Sequence, residues 1–430
     1  MIQHSYDSSS VALREFLKLE SASGILLVIA GVLAMIAANT PLSELYQALL
    51  QTPIKLQVGA FKLDKTLLIW INDLLMAVFF FLVGLEIKRE LIVGELRIRR
   101  NATLPIAGAL GGMMVPALLF VALNAGTPAI RGWGIPMATD IAFALGVLAL
   151  LGSRVGLQLK IFLLALAIVD DLGAVLVIAA FYTEQLDIGS LLLAGGALAG
   201  AFGYGRFGAA RPLGYALIGA VVWYFMLKSG VHATVAGVLM ALTVPLRHEL
   251  SSEQLQDELR PVLEQHADGF EEVEVAIEHL EGVLDRAHSP LHAMEHALTP
   301  IVAFAIMPIF AFFNAGVAIA GGDVALSGPV SLGIVLGLVA GKPLGILLFA
   351  GLAVRVGITD LPAGATWSGM AGVALLAGIG FTMSLFIASL AFGDAPVLDE
   401  AKLGILVASL IAAGVGLVFL ARTQPRAASD

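Results

Sequence analysis

Residues 161–181 read IFLLALAIVDDLGAVLVIAAF, an apolar run interrupted only by the adjacent acids Asp170 and Asp171. A run of about 20 apolar residues is long enough to cross a bilayer as a helix, so the two acids would lie near the middle of the membrane. A carboxylate at that depth costs on the order of 2.5 kcal/mol, and acids kept there usually line a path for ions or protons. A helix end that reaches water is excluded, because apolar residues continue from 161 to 169 and from 172 to 181.

The composition of the whole chain is that of a polytopic membrane protein. Of its 430 residues, 59% are hydrophobic and 13% are charged, and the mean hydropathy is +0.93. Soluble proteins carry about 25% charged residues. The absence of cysteine excludes disulfides and thiolate metal sites. The first ten residues lack the pattern of a cleaved signal, so we expect the first apolar segment to remain as a membrane anchor.

Hydropathy predicts an all-α fold with about 12 transmembrane helices. The predicted spans are residues 15–37, 67–88, 102–123, 133–151, 158–182, 188–204, 212–227, 229–246, 297–319, 329–352, 366–392 and 401–422. With both termini cytoplasmic, 17 of the Lys and Arg residues lie inside and 6 outside. This bias agrees with the positive-inside rule. The alternation at residues 54–63 predicts a short hairpin on the outer surface.

The negative charge of the chain is concentrated in one segment. The net charge is −9, and residues 247–296 contain thirteen acids against three arginines, together with six of the eight histidines. We therefore expect a single transmembrane domain, residues 1–430, that contains an acidic, His-rich cytoplasmic loop at 247–296. His288, His292 and His296 share the spacing of one helix face and could bind a divalent metal, although a solvated amphipathic helix is the favoured interpretation.

Two predicted spans, the fourth and the eleventh, are interrupted by residues that do not suit a continuous helix. The sequence PMATD at 136–140 brings proline, a hydroxyl and a carboxylate into the fourth, and GIGFTMS at 378–384 brings two glycines and two hydroxyls into the eleventh. Lipid cannot satisfy broken backbone, so such breaks line cavities inside protein. Each broken span is the middle member of a three-span group, which predicts an inverted-repeat transporter with its site between the breaks. Gly378 and Gly380 alone could equally serve close helix packing.

Four ionisable residues are the deepest in apolar sequence: Asp140, Asp170, Asp171 and Lys342. We expect Lys342 to pair with one of the acids, because an unpaired buried charge is costly, and Asp140 to neutralise exposed helix ends. Carboxylates, the Thr139 hydroxyl and free carbonyls are hard oxygen ligands that suit Na⁺ or Li⁺. Because burial disfavours a charged carboxylate, a proton would compete with sodium for this site. Alternating access would then exchange the two ions, and electrogenically if both acids discharge when sodium leaves.

Seven motifs resemble those of NhaA-type sodium/proton antiporters, and they extend over nearly the whole chain. They are 70–73 (WIND), 84–90 (GLEIKRE), 138–146 (ATDIAFALG), 167–174 (AIVDDLGA), 228–234 (KSGVHAT), 341–345 (GKPLG) and 380–388 (GFTMSLFIA). Members of this family are inverted-repeat transporters with discontinuous helices. The resemblance implies an electrogenic, pH-regulated Na⁺(Li⁺)/H⁺ antiporter, and therefore a transporter and not an enzyme. It also implies a location in the bacterial inner (plasma) membrane.

The resemblance also implies specific roles for individual residues. Asp171 would be the principal sodium ligand and proton carrier, with Asp170 beside it as the partner of Lys342, so that Na⁺ binds at Asp170 and Asp171. Asp140 and Lys342 would compensate the charge of opposed helix ends, with Thr139 as a neighbour, and Gly378, Gly380 and Thr382 would form the second break. Regulation by pH would involve Glu86, Lys88, Arg89, Glu90, His292, Glu295 and His296.

The same resemblance sets the expected partners. They are Na⁺, Li⁺, H⁺ and membrane lipid, and a homodimer joined at the outer hairpin is allowed. No cofactor and no nucleic acid are expected.

Two other functions compete with antiport. An intramembrane aspartyl protease would need a Gly-x-Gly-Asp signature, but Gly378-Ile379-Gly380 is followed by Phe381. A sodium-coupled solute symporter also needs broken helices and differs only by a larger organic site. The sequence disfavours the protease and leaves the symporter as the alternative.

Overall fold

Helices make up nearly all of the chain that the structure describes. The structure is a computed structural model that describes residues 4–58, 61–183, 186–207, 211–246, 289–319, 326–393 and 396–424. Within these ranges, ten helical segments are long and apolar enough to cross a membrane, and a helix pair bent by 44° makes an eleventh. The predicted all-α polytopic fold is confirmed.

The first half of the chain contributes the first broken span and eight of the helices named here. They are α1 (His4–Ala38), α2 (Ser43–Leu50), α3 (Leu67–Ile92), α4 (Arg99–Asn124), a 3₁₀ segment (Pro128–Met137) followed by α5 (Ile141–Ala149), α6 (Leu157–Phe181), α7 (Ile188–Phe207) and α8 (Pro212–Ser229).

The second half contributes the second broken span. Its helices are α9 (Ala233–Thr243), α10 (Pro290–Asn314), α11 (Pro329–Arg355), α12 (Trp367–Ala377), α13 (Phe381–Phe392) and α14 (Val397–Thr423). Both α10 and α11 contain a π-helical turn, and the turn Gly337–Gly341 in α11 directly precedes Lys342. Such turns are frequent at functional sites.

The predicted eighth span is shorter than expected. In place of residues 229–246, the structure has the 11-residue helix α9. The reason is Gly230, which follows α8 with φ of 83° and turns the chain before a new helix begins. Helix α9 packs closely against α3. At Gly237 the two backbones are so near that a Cβ there would overlap the backbone carbonyl of Ala77. Small residues allow membrane helices to approach in this way.

The ninth span begins earlier than predicted. Helix α10 starts at Pro290, not at 297, because the Ser289 side chain accepts a hydrogen bond from the His292 N–H at 3.3 Å and caps the helix. Residues 290–296 of the predicted acidic loop are therefore helical. Residues 247–288 of that loop lie outside the described residues.

The predicted hairpin is present between α2 and α3. Strands β1 (Pro53–Val58) and β2 (Phe61–Thr66) pair in antiparallel register, with Leu56 opposite Leu63. An ion pair of 3.2 Å between Lys55 and Asp64 joins the strands. Ile54 and Leu56 are exposed on the surface of the hairpin.

The two largest of three hydrophobic clusters among the described residues divide the bundle. The larger core surrounds both broken spans, where α4 packs along α11 and α14 packs against α11, α12 and α13. The second core is formed by α3, α7, α8, α9 and the start of α10. Asn72 of α3 and Asn314 of α10 exchange side-chain hydrogen bonds of 3.2 and 2.8 Å. The bundle thus consists of a part that carries the breaks and a part that packs beside it.

Candidate functional site

The two broken spans cross at their interruptions in the interior of the bundle. The first break is extended backbone at 138–140, between the 3₁₀ segment and α5, and the second lies at 378–380, between α12 and α13. The Asp140 N–H donates to the Ile379 carbonyl at 2.7 Å and joins the breaks. Both breaks therefore occur where the sequence predicts them, and they touch.

The glycines of the second break serve close packing and not an unusual backbone conformation. Gly378 and Gly380 have φ of −70° and −93°, which any residue can adopt. A Cβ on Gly378 would instead overlap the carbonyl oxygen of Leu338, which lies in the π-helical turn of α11. Gly378 therefore lies at the break and also allows close helix packing, the role that the sequence left open for it.

Asp140 binds the starts of two half-helices at once. Its Oδ1 accepts from the Phe143 N–H of α5 at 2.9 Å. Its Oδ2 accepts from the N–H of Thr382 in α13 at 3.0 Å and from the Thr382 hydroxyl at 2.5 Å. Helix starts carry unsatisfied N–H groups and partial positive charge. A single buried carboxylate therefore neutralises both.

Lys342 lies between Asp170 and the end of the 3₁₀ segment. Its Nζ is 2.7 Å from Asp170 Oδ2 and also donates to the Met137 carbonyl, and both ionic side chains are fully buried. Thr139 Oγ1 lies 2.7 Å from Asp170 Oδ2 and 3.0 Å from the Ala377 carbonyl. The structure thus brings Thr139, Asp170 and Lys342 together and selects Asp170 as the acid that pairs with the lysine.

Asp171 is the member of the adjacent acid pair that has no counter-charge in contact among the described residues. It is fully buried, and neither of its carboxylate oxygens receives a hydrogen bond from the residues that the structure describes. Asp170 Oδ1 is in the same condition. Buried polar atoms are nearly always paired, and exceptions call for a functional explanation. Three buried carboxylate oxygens at one place are the ligand type that a hard cation prefers.

Charged side chains at the end of α3 and the start of α10 form a cluster. Arg89 Nη1 lies 2.5 Å from Glu295 Oε1, and Arg89 Nη2 lies 3.1 Å from Glu90 Oε1. His292 Nδ1 lies 3.8 Å from Glu295 Oε2. His296 is exposed beside them. Arg89, Glu90, His292 and Glu295, called here the α3–α10 cluster, are thus brought together.

Glu86 and Lys88 precede the α3–α10 cluster on α3. Glu86 is half-buried on α3, one helical turn before Arg89 and Glu90. Lys88 turns away and donates to the carbonyls of Leu242 and Val244, at 2.7 and 2.5 Å, where α9 ends. A lysine satisfies the free carbonyls of a helix end well. The part of Lys88 in pH regulation therefore stays a prediction.

Two further hydroxyls complete the crossing, and sequence reasoning missed the one on Ser409. Ser384 Oγ donates to the Ile135 carbonyl at 2.8 Å, and Ser409 Oγ of α14 accepts from the Phe381 N–H at 3.0 Å. Both serines are fully buried. A serine in an apolar span carries no distinctive signal, because the same residue commonly bonds its own helix.

Comparison with known proteins gives a uniform result. The family model described as Na⁺/H⁺ antiporter 1 matches residues 14–420. A protein of Koribacter versatilis named Na(+)/H(+) antiporter NhaA is 50% identical over 423 residues, covering 96% of this chain and 92% of that protein. Proteins of Bordetella parapertussis (NhaA; 50%, covering 96% and 97%) and Klebsiella pneumoniae subsp. pneumoniae (NhaA 1; 49%, covering 95% and 95%) bear the same antiporter name.

Proposed function

The chain belongs to the Na⁺/H⁺ antiporter 1 family, and from that premise we propose that it exchanges Na⁺ for H⁺ electrogenically at Asp170 and Asp171. Antiport itself follows from relatives that are about half identical over nearly the full chain. The observation that supports the site is the buried Asp171 carboxylate, whose two oxygens receive no hydrogen bond from the described residues.

The exchange proceeds by competition for one pair of acids. Na⁺ binds between carboxylate oxygens of Asp171 and Asp170, with Thr139 beside them, because all three offer hard oxygen ligands. Protons bind the same oxygens when sodium leaves, because burial penalises an unbalanced carboxylate. The crossing of α5 and α13 opens the site to one side of the membrane at a time, as in transporters with paired broken helices.

The net charge that moves depends on Asp170 and Lys342. Asp171 has no cation in contact, whereas Asp170 is held by Lys342 at 2.7 Å. If both acids take up protons as sodium leaves, more positive charge enters with protons than departs with sodium. Exchange is then driven by the membrane potential as well as by the proton gradient.

The surroundings of the protein follow from the same premise. It is a multi-pass membrane protein, and we place it in the bacterial inner membrane with both termini in the cytoplasm, as the distribution of Lys and Arg favours. Li⁺ is accepted at the same oxygens as Na⁺. The exposed apolar residues of the β1–β2 hairpin join two protomers in a homodimer surrounded by lipid.

We expect sodium alone to drive proton movement in proteoliposomes of the purified protein, because the site consists of carboxylate and hydroxyl oxygens suited to a bare cation. The measurement is the internal pH, followed with a fluorescent dye, after a sodium gradient is imposed with no organic solute present. A potassium diffusion potential should change the initial rate. Exchange that requires an organic solute would indicate the symporter, and a rate insensitive to potential would contradict electrogenic exchange.

We propose that the α3–α10 cluster sets the pH range of exchange. Histidine changes charge near neutral pH, and His292 faces Glu295, which in turn holds Arg89 at the end of α3. Loss of charge at His292 and the neighbouring His296 would loosen the contact between α3 and α10. Glu86 continues the line of charges from the cluster toward Asp171.

The variant His292→Gln/His296→Gln imitates the uncharged histidines, so its exchange should begin at lower pH. We expect the midpoint of the rate against pH to fall by roughly 0.5 pH units or more, because the variant removes both imidazoles, and histidine is the side-chain type that changes charge near neutral pH. The measurement is the exchange rate between pH 6 and pH 9, roughly the range over which histidine changes charge, at saturating sodium. An unchanged midpoint would leave ion competition at Asp170 and Asp171 as the sole source of pH dependence.

A further inference from the structure

Helix α13 begins in the interior of the bundle, where water is not available to its first N–H groups. The N–H of Phe381 is bound by Ser409 Oγ at 3.0 Å, and the N–H of Thr382 by Asp140 Oδ2, also at 3.0 Å. A helix start leaves such groups without an acceptor in its own backbone, and in a membrane each unmet group costs several kcal/mol. The start of α13 is therefore held by two side chains from two other spans.

Ser409 belongs to the face of α14 that packs on the second break. The buried residues of α14, a helix that the structure describes in full, are all apolar or glycine except Ser409. One turn further along, Ala412 lies against the position where Gly378 would carry a Cβ. Helix α14 thus reaches the break through small residues and presents one acceptor to it.

Loss of that acceptor would disturb the neighbouring carboxylate. The Phe381 N–H lies next to the N–H of Thr382, which Asp140 already binds. Asp140 also accepts from the Thr382 hydroxyl and from the Phe143 N–H. An unpaired Phe381 N–H would compete for this acceptor, because an unsatisfied buried donor costs more than a shared bond. The carboxylate would then shift from its position between α5 and α13.

The displacement would reach the acids through adjacent residues. Thr139 precedes Asp140 in the chain, and its hydroxyl lies 2.7 Å from Asp170 Oδ2. A path of hydrogen bonds and adjacent chain positions therefore runs from Ser409 through the start of α13 and Asp140 to Thr139 and Asp170. We propose that Ser409 is a positioning residue, which fixes the start of α13 against Asp140 and so keeps Thr139 and Asp170 in the arrangement that binds Na⁺. This inference rests on the proposed function.

The test compares the apparent KM for Na⁺ with kcat in proteoliposomes. Ser409→Ala removes the acceptor, and Ser409→Cys keeps nearly the same size while replacing the hydroxyl by a weak acceptor. We expect both variants to raise the apparent KM about tenfold, with kcat changed less, because a lost hydrogen bond to a buried group has an effect of that order. The matched control is Ser389→Ala, whose hydroxyl donates only to the Phe386 carbonyl of its own helix. It should keep the parent KM.

The outcomes separate positioning from packing. A parent KM in Ser409→Ala, or in Ser409→Cys should the alanine variant not fold, would overturn the role of Ser409. A lower melting temperature with unchanged KM would make Ser409 a packing residue only and would also overturn it. If the parent protein itself showed no sodium-driven proton exchange, the proposed function would fall first, and this inference with it.

Discussion

Asp171→Asn is expected to abolish sodium-dependent proton exchange while the protein remains folded. The asparagine amide has the shape of the carboxylate, but it carries no negative charge and no exchangeable acid proton, so it can neither balance Na⁺ nor carry H⁺. Asp171 also receives no hydrogen bond from the described residues that the amide would break. Removing a buried uncompensated charge should leave stability unchanged or improved. The measurement is exchange in proteoliposomes together with thermal unfolding in detergent.

The matched control for this variant is Asp64→Asn on the β1–β2 hairpin. Asp64 is paired with Lys55 on the surface, and exposed ion pairs contribute about 0–1 kcal/mol. This variant should exchange sodium at nearly the parent rate. Exchange by purified Asp171→Asn at a rate close to that of Asp64→Asn would contradict the mechanism, because Asp171 is the proposed principal Na⁺ ligand and proton carrier.

Lys342→Ala is expected to lower the free energy of unfolding by roughly 3–5 kcal/mol, since breaking a buried ion pair leaves one charge uncompensated. The charge left behind is Asp170, whose Oδ2 lies 2.7 Å from the lysine ammonium. The Met137 carbonyl would lose its donor as well. The melting temperature of the purified variant measures this loss. Lys160→Ala, at a half-exposed lysine that bonds only the Gly152 carbonyl, is the control and should change little.

The double variant Asp170→Asn/Lys342→Ala distinguishes direct pairing from packing. With both charges of this pair removed, neither leaves its partner unbalanced, so the double variant should melt well above Lys342→Ala. Recovery should be incomplete, because the Met137 carbonyl still lacks its donor. A double variant that melts no higher than the single one would show that Asp170 is not the partner whose charge Lys342 balances.

The sequence by itself determined the class of fold and the positions of its breaks. Lipid offers no hydrogen bonds, so each span must be a long apolar helix. A proline, glycine or acid within a span therefore indicates a break or a functional site at that position. Residues 136–140 and 378–384 were recognised as interruptions for this reason, and the acids at 170–171 as residues of a site. These inferences depend only on the amino-acid composition of a segment one helix long, which can be read directly from the sequence.

Only the tertiary structure decided which of these residues meet. Sequence reasoning required Lys342 to pair with an acid, and spatial proximity selected Asp170. It grouped Lys88 with its charged neighbours, whereas the side chain reaches the carbonyls at the end of α9. Gly378 is needed because Leu338 of another span abuts it, and Ser409 matters only because α14 lies beside the start of α13. Such contacts join residues distant in the chain, and their strength depends on tenths of an ångström and on burial, which no local pattern encodes.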